Sequence, residues 1–264
     1  MSIKDILLHL DDSHFSERSI DVAVVVAQAH AAVLTGLSIM THNYYQPQYQ
    51  QAEEKMASSK ALLEKKTLNA GITVAWRGIE STVVGVKQSE ILIEFSHCTD
   101  LVIVGQESGN RTGSSAIVEP LVLGAGRPIL VVPAAGTFPT VGKRVMVAWK
   151  RGREAARALN DALPFLKLAD QVTLISVASD EEALQDPWDG ILEHLQHHGI
   201  QARTELRPTT SSPQADGLLN LACEGNYDLL VMGAFCTLSR GRTRLGPVAA
   251  QILREMTVPV LMSH

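Results

Sequence analysis

The sequence predicts an α/β protein built from two repeated, doubly wound domains, each with a five-stranded parallel sheet. Three observations carry this. Short, nearly continuous apolar runs alternate with amphipathic helical stretches, the mark of parallel strands covered on both faces. The pattern is written twice: DLVIVG at Asp100 to Gly105 recurs as DLLVMG at Asp228 to Gly233, and RPIL at Arg127 to Leu130 parallels VPVL at Val258 to Leu261. Between the two copies lies PAAGTFPTVG, Pro133 to Gly142, whose Pro and Gly content marks a joint. Domains are expected over residues 1–135 and 143–264, with a linker at about 134–142.

Each element follows in order. KDILLHLD (Lys4 to Asp11) and KRVMVAWK (Lys143 to Lys150) open the halves as first strands. Ser16 to Ala31 and Arg153 to Ala169 follow as helices, and Val33 to Ile39 and Val172 to Val177 as second strands. Gln51 to Gly71 is a charged amphipathic helix with Met56, Leu62 and Leu63 on its apolar face. Third strands fall near Thr73 to Arg77 and Ala202 to Leu206. Helices follow near Val84 to His97 and Gln214 to Glu224, then the two repeated fourth strands. Val248 to Met256 reads as the last helix. Right-handed crossovers wind each set into one sheet, and two such copies are expected to pair within the chain.

Bulk properties exclude several classes. The chain has 264 residues, 45% hydrophobic and 19% charged, with a formal net charge of −5. That charge gives no reason to expect nucleic-acid binding. No apolar run is long enough to span a bilayer, and MSIKDILLHLDD reads as a first strand, not a signal peptide. Cys98, Cys223 and Cys236 are widely spaced, which argues against a disulfide framework and for a reducing, cytoplasmic setting. Cys98 and Cys223 are expected in the core, and Cys236 in an exposed loop.

Four stretches bear a family resemblance. LHLDDSHFSERSIDVA, VAWKRGREAARALNDALP, the pair LVIVGQESG and LLVMGAFC, and the pair RPILVVP and VPVLMSH resemble the universal stress protein family in its tandem form. The resemblance implies a Rossmann-like, adenine nucleotide alpha hydrolase-like fold and no established catalytic reaction. Many members bind ATP or another adenine nucleotide, through an aspartate after the first strand and a G-x2-G-x9-G-[ST] loop. Others bind none.

In the second half, that loop is MGAFCTLSRGRTRLGP, Met232 to Pro247. Gly233 and Gly246 match the resembled pattern. Cys236 replaces its middle glycine, and Pro247 its Ser or Thr. A cysteine forced into left-handed geometry costs about 1 kcal/mol. Proline removes an N–H and a hydroxyl that would face phosphate. Lys150 stands at the aspartate position, and an ammonium has no acceptor for an adenine amino group. The candidate ligand set here is Lys150, Val177, Met232, Gly233, Cys236, Gly246, Pro247 and Val248. Lys150, Arg151, Arg153, Arg240, Arg242 and Arg244 are expected at one sheet edge, as an anion site or a solvated basic face.

In the first half, Asp11 occupies the resembled adenine position, or else caps a helix with its neighbours. The loop GQESGNRTGSSA is three residues shorter. Asp11, Ser13, Gly105, Ser108, Gly109, Gly113, Ser114 and Ser115 form the candidate nucleotide set, the loop being either an anion nest or an ordinary polar connection.

GTFPTVGK is no P-loop: five residues separate its glycines, and Arg144 stands where Ser or Thr is needed. No G-x-S-x-G elbow is present. His194, His197 and His198 share a helix end, and no metal is assigned to them. The sequence therefore points to a non-enzymatic stress protein with degenerate nucleotide loops. It needs no cofactor and acts through an unknown ligand or protein partner, or as a homodimer. The alternative is an ATP- or AMP-binding sensor, and a slow ATPase has least support.

Overall fold

The computed structural model describes residues 2–11, 16–41, 49–81, 85–107, 116–178, 188–208, 214–239 and 242–264. The chain divides into two compact units, Ser2–Pro139 and Thr140–His264.

The first unit runs β1 (Asp5–His9), α1 (Ser16–His30), β2 (Val33–Thr41), α2 (Tyr49–Thr67), β3 (Val74–Ser81), α3 (Gln88–Ser96), β4 (Leu101–Gly105), α4 (Val118–Gly124) and β5 (Ile129–Val132). Its strands lie in the order β3-β2-β1-β4-β5, with every pairing parallel. The central strands are buried without alternation: Ile6, Leu8, Leu101, Val102, Ile103 and Leu130 have no exposed surface. Helices on both faces explain that, because a strand covered on two sides needs apolar residues at every position. Leu63 of α2 is 1% exposed and closes over Gly36 of β2, where any Cβ would lie 2.4 Å from its Cδ2.

The second unit runs β6 (Arg144–Ala148), α5 (Arg153–Leu166), β7 (Gln171–Ala178), α6 (Ile191–His197), β8 (Ala202–Pro208), α7 (Gln214–Glu224), β9 (Leu229–Gly233), β10 (Cys236–Ser239), β11 (Arg242–Leu245), α8 (Pro247–Glu255) and β12 (Val260–Ser263). Its parallel strands lie in the order β12-β9-β6-β7-β8. The chain winds outward from β6 in one direction and returns through β9 in the other. The switch point is therefore the crevice between β6 and β9, at their carboxyl ends.

The repeated aspartate has the same task in both units. The Asp100 carboxylate accepts from the Lys4 and Asp5 backbone N–H groups at 2.7 and 3.1 Å. That of Asp228 accepts from Gly142, Lys143 and Arg144 at 3.1, 3.1 and 2.9 Å. Each satisfies backbone donors at the start of the first strand, which have no ladder partner there.

Two expectations are corrected. Cys98 and Cys223 are exposed, not core. Cys98 lies in the turn beyond α3, and Cys223 projects from α7 away from its buried Ala215, Leu218 and Ala222. The stretch after Gly233 is not a glycine loop. Its residues form an antiparallel ribbon, β10 on β11, with Cys236 opposite Leu245 and Thr237 opposite Arg244. No helix among the described residues is long and apolar enough to cross a membrane.

Candidate functional site

The second unit has a cleft of about 440 Å³ at its switch point. The carboxyl ends of β6, β7 and β9 form its floor, through Ala148, Ile175, Val177, Met232 and Gly233. One wall is the segment after β6, Trp149 to Gly152, with Glu154 and Ala155 in the first turn of α5. Leu218 and Gln214 of α7 face it, and Phe235, Gly246 and the first turn of α8 close the remaining side. The surface is mostly hydrocarbon and aromatic. Trp149 is 7% exposed, and its backbone N–H donates to the Ile175 carbonyl at 2.8 Å. Phe235 is 61% exposed at the rim.

Seven of the eight residues singled out in this half line the cleft: Lys150, Val177, Met232, Gly233, Gly246, Pro247 and Val248. Cys236 does not. It begins the ribbon, and its Sγ lies 3.3 Å from the Ala234 carbonyl and 3.4 Å from His264 Nδ1.

The two matched glycines have packing reasons. A Cβ on Gly233 would lie 2.4 and 2.5 Å from the Glu154 C and Ala155 N backbone atoms, so this glycine lets α5 pack against β9. A Cβ on Gly246 would meet the Phe235 carbonyl at 3.1 Å, and the Gly246 N–H donates to that carbonyl at 2.8 Å. Neither position has positive φ. Gly246 caps α8 with no side-chain bond, and Pro247 follows it. With the cap N–H engaged and proline next, the first turn of α8 retains only the Val248 and Ala249 donors. That is a poor phosphate cradle.

The expected cluster of six cations is only partly assembled. Lys150 and Arg151 line the cleft, and Arg151 also donates to the Asp189 carbonyl at 3.1 Å. Arg153 instead turns to Glu154, 2.9 Å away. Arg244 is exposed on β11 outside the lining; Arg240 and the side chain of Arg242 lie outside the described residues. Hydrogen bonding to its own backbone N–H, aided by Arg153 and the charge of His264, holds the Glu154 carboxyl below the ordinary glutamate range. A carboxylate thus already sits in the first turn of α5.

In the first unit, Asp11 accepts from Ser16 Oγ through both its carbonyl (2.7 Å) and its carboxylate (3.0 Å). Gly105 ends β4, and two residues later the Glu107 carboxylate accepts from the Ile117 and Val118 N–H groups at the start of α4. A side-chain anion therefore occupies the helix start that a phosphate would need. Ser13, Ser108, Gly109, Gly113, Ser114 and Ser115 lie outside the described residues.

The histidine cluster forms a contact between rings. His194 and His198 meet edge to face at 4.8 Å, and His194 Nε2 is buried with no hydrogen-bond partner among the described residues. Among the described residues, no three His, Cys, Asp or Glu side chains converge to hold a metal.

Sequence reasoning missed Trp149, Glu154, Phe235, Gln214 and Leu218 as cleft residues. The ribbon that brings Phe235 to the rim had a signal in the sequence, since CTLS and RTRL flank an Arg-Gly pair, the composition of a hairpin.

The universal stress protein family model matches residues 142–264. No curated protein sequence matches the chain. Two solved structures share its fold over nearly its whole length. A universal stress protein from Archaeoglobus fulgidus DSM 4304 has 17% identity and a TM-score of 0.76, over 98% of this chain and 97% of that one. A functionally unknown protein from Pseudomonas aeruginosa PAO1 has 16% identity and a TM-score of 0.64, over 99% and 92%.

Proposed function

We propose, from the match of residues 142–264 to the universal stress protein family model, that the protein is a non-catalytic stress-response protein whose second unit binds a compact, mostly apolar anion in place of a nucleotide. The switch-point cleft carries this reading. Its walls are Trp149, Ile175, Val177, Leu218, Met232 and Phe235, and its charged groups are Lys150, Arg151, which also pairs with Asp189 at 3.4 Å, and the Glu154 carboxylate, itself held by Arg153. An apolar body fills such a slot, and one acidic group meets the two cations. Pro247 and the ribbon stand where triphosphate would need donors, and Lys150 stands where an adenine would need an acceptor. Among the described residues, no nucleophile with an adjacent base lines the cleft, which supports binding over turnover.

The adenine-nucleotide reading keeps Asp11 as its support. It is disfavoured by Ser16, which holds the Asp11 carboxylate, and by Glu107, which neutralises the start of α4. An ATP site in the first unit would have to displace both.

The test uses 2-naphthoate as a probe of the right chemistry. A ligand that binds only the folded state raises the melting temperature by mass action. Millimolar 2-naphthoate is expected to raise it and to change Trp149 fluorescence, and ATP with Mg²⁺ to do neither. Stabilisation by ATP alone would refute the reading.

A further inference from the structure

Independently of what the cleft binds, the second unit carries a chemical pair that the cleft lining does not include. Cys236 opens β10 and is half-buried; His264 follows β12. Cys236 Sγ donates to the Ala234 carbonyl oxygen at 3.3 Å, and His264 Nδ1 lies 3.4 Å from that sulfur and 3.1 Å from the same oxygen. A ring nitrogen facing a carbonyl at that distance carries the proton, which assigns the tautomer from its surroundings. That same N–H stands beside the sulfur. Transfer of the thiol proton to the far ring nitrogen leaves a thiolate facing the imidazolium N–H. Cys98 and Cys223, both exposed, have no such arrangement among the described contacts.

A carboxylate lies near the ring. The Glu154 carboxylate of α5 feels the charge of His264, and Arg153 is held by Glu154. The pair is positioned from two directions. Cys236 is fixed across the ribbon by Leu245, 7% exposed, and Ala234 donates its N–H to the Ser263 carbonyl at 2.8 Å, tying the chain before Cys236 to β12.

We propose that Cys236 and His264 form a thiolate–imidazolium pair, and that this pair is a modification site at which small hydroperoxides oxidise Cys236. The thiolate sulfur attacks the hydroxyl oxygen of ROOH. An S–O bond forms and the O–O bond breaks. The departing alkoxide takes the imidazolium proton and leaves as ROH. The sulfur loses two electrons to the peroxide and ends as a sulfenic acid, with His264 neutral. The product is a bulkier, polar group at the base of the ribbon, next to Phe235 at the cleft rim.

The experiment oxidises the whole protein with hydrogen peroxide, traps sulfenic acid with dimedone and follows each cysteine by peptide mass mapping. Cys236 is expected to react first at neutral pH, although Cys98 and Cys223 are the more exposed. His264→Gln is expected to slow Cys236 by about tenfold, the loss of thiolate fraction when a cationic partner is removed, and to leave the other two unchanged. The pH profile gives a readout that packing alone does not move. In the native protein the Cys236 rate levels off at lower pH than those of Cys98 and Cys223, and it remains decisive if the variant does not fold. Rates that follow exposure, equal rates in the variant, or one plateau shared by all three cysteines would each overturn the proposal.

Discussion

Gly233→Ala separates the two meanings of the glycine that ends β9. If this glycine serves to bring the backbone near a phosphate, a methyl group costs ligand affinity and little stability. The geometry gives a different answer. The new Cβ would lie 2.4 Å from the Glu154 carbonyl carbon, 2.5 Å from the Ala155 nitrogen and 2.7 Å from the Glu154 carbonyl oxygen. These are backbone atoms and cannot rotate away. The first turn of α5 must retreat by about 1 Å to restore ordinary contact, and overpacking of this kind costs about 1–3 kcal/mol. The lower entropy of the unfolded alanine chain returns about 0.4–1 kcal/mol. A net loss of ~1–2 kcal/mol remains, which lowers the melting temperature of the second unit by roughly 5–10 °C. Gly246→Ala is the control. Its φ of −62° suits alanine and its nearest contacts are 3.1 and 3.2 Å, so it is expected to change stability by about 0.5 kcal/mol or less. Paired chemical and thermal denaturation measures both variants. Equal stability of the two would refute the packing explanation.

Other expectations follow from single contacts. Asp228→Ala leaves the Gly142, Lys143 and Arg144 N–H groups without their acceptor, and denaturant titration should show a loss of about 1–3 kcal/mol from the second unit. His30 is pushed down to about 4, first by burial and then by Lys4. The unfolded chain therefore binds the extra proton between about pH 6.5 and 4, so first-unit stability should fall with pH across that window. Discounted for partial exposure, the change is ~1–2 kcal/mol, and His30→Gln should flatten that part of the stability–pH curve. Lys150→Ala should weaken 2-naphthoate binding about tenfold, the worth of one charge-assisted hydrogen bond, and titration in rising salt should show the native protein approaching the variant.

The sheet was legible because burial on both faces leaves a direct trace. Runs such as DLLVMG and RPIL cannot be anything but covered strands once helices flank them, and their repetition sets the two units. The helix Gln214 to Glu224 needed only its apolar spacing. The cleft was legible at its sheet edge, since Lys150, Met232 and Gly233 follow from strand ends and the switch point. Its walls were not. Leu218 and Gln214 reach it from a helix distant in sequence, and nothing in their spacing says which end of the sheet that helix covers. The ribbon went unread because CTLSRGRTRL was measured against a glycine loop, and its hairpin composition then counted for nothing. Gly233 itself shows the limit of motif spacing: the residue type was right, and its reason was helix packing. Cys236 and His264 are 28 residues apart, and only the pairing of β12 with β9 brings them together.

The most direct measurement is native mass spectrometry of the whole protein with millimolar ATP and Mg²⁺, and separately with 2-naphthoate. One bound naphthoate that is lost on Lys150→Ala, with no adenine nucleotide retained, is the predicted result. A retained mass of one adenine nucleotide, lost on Asp11→Ala, would contradict it and move the functional site to the first unit.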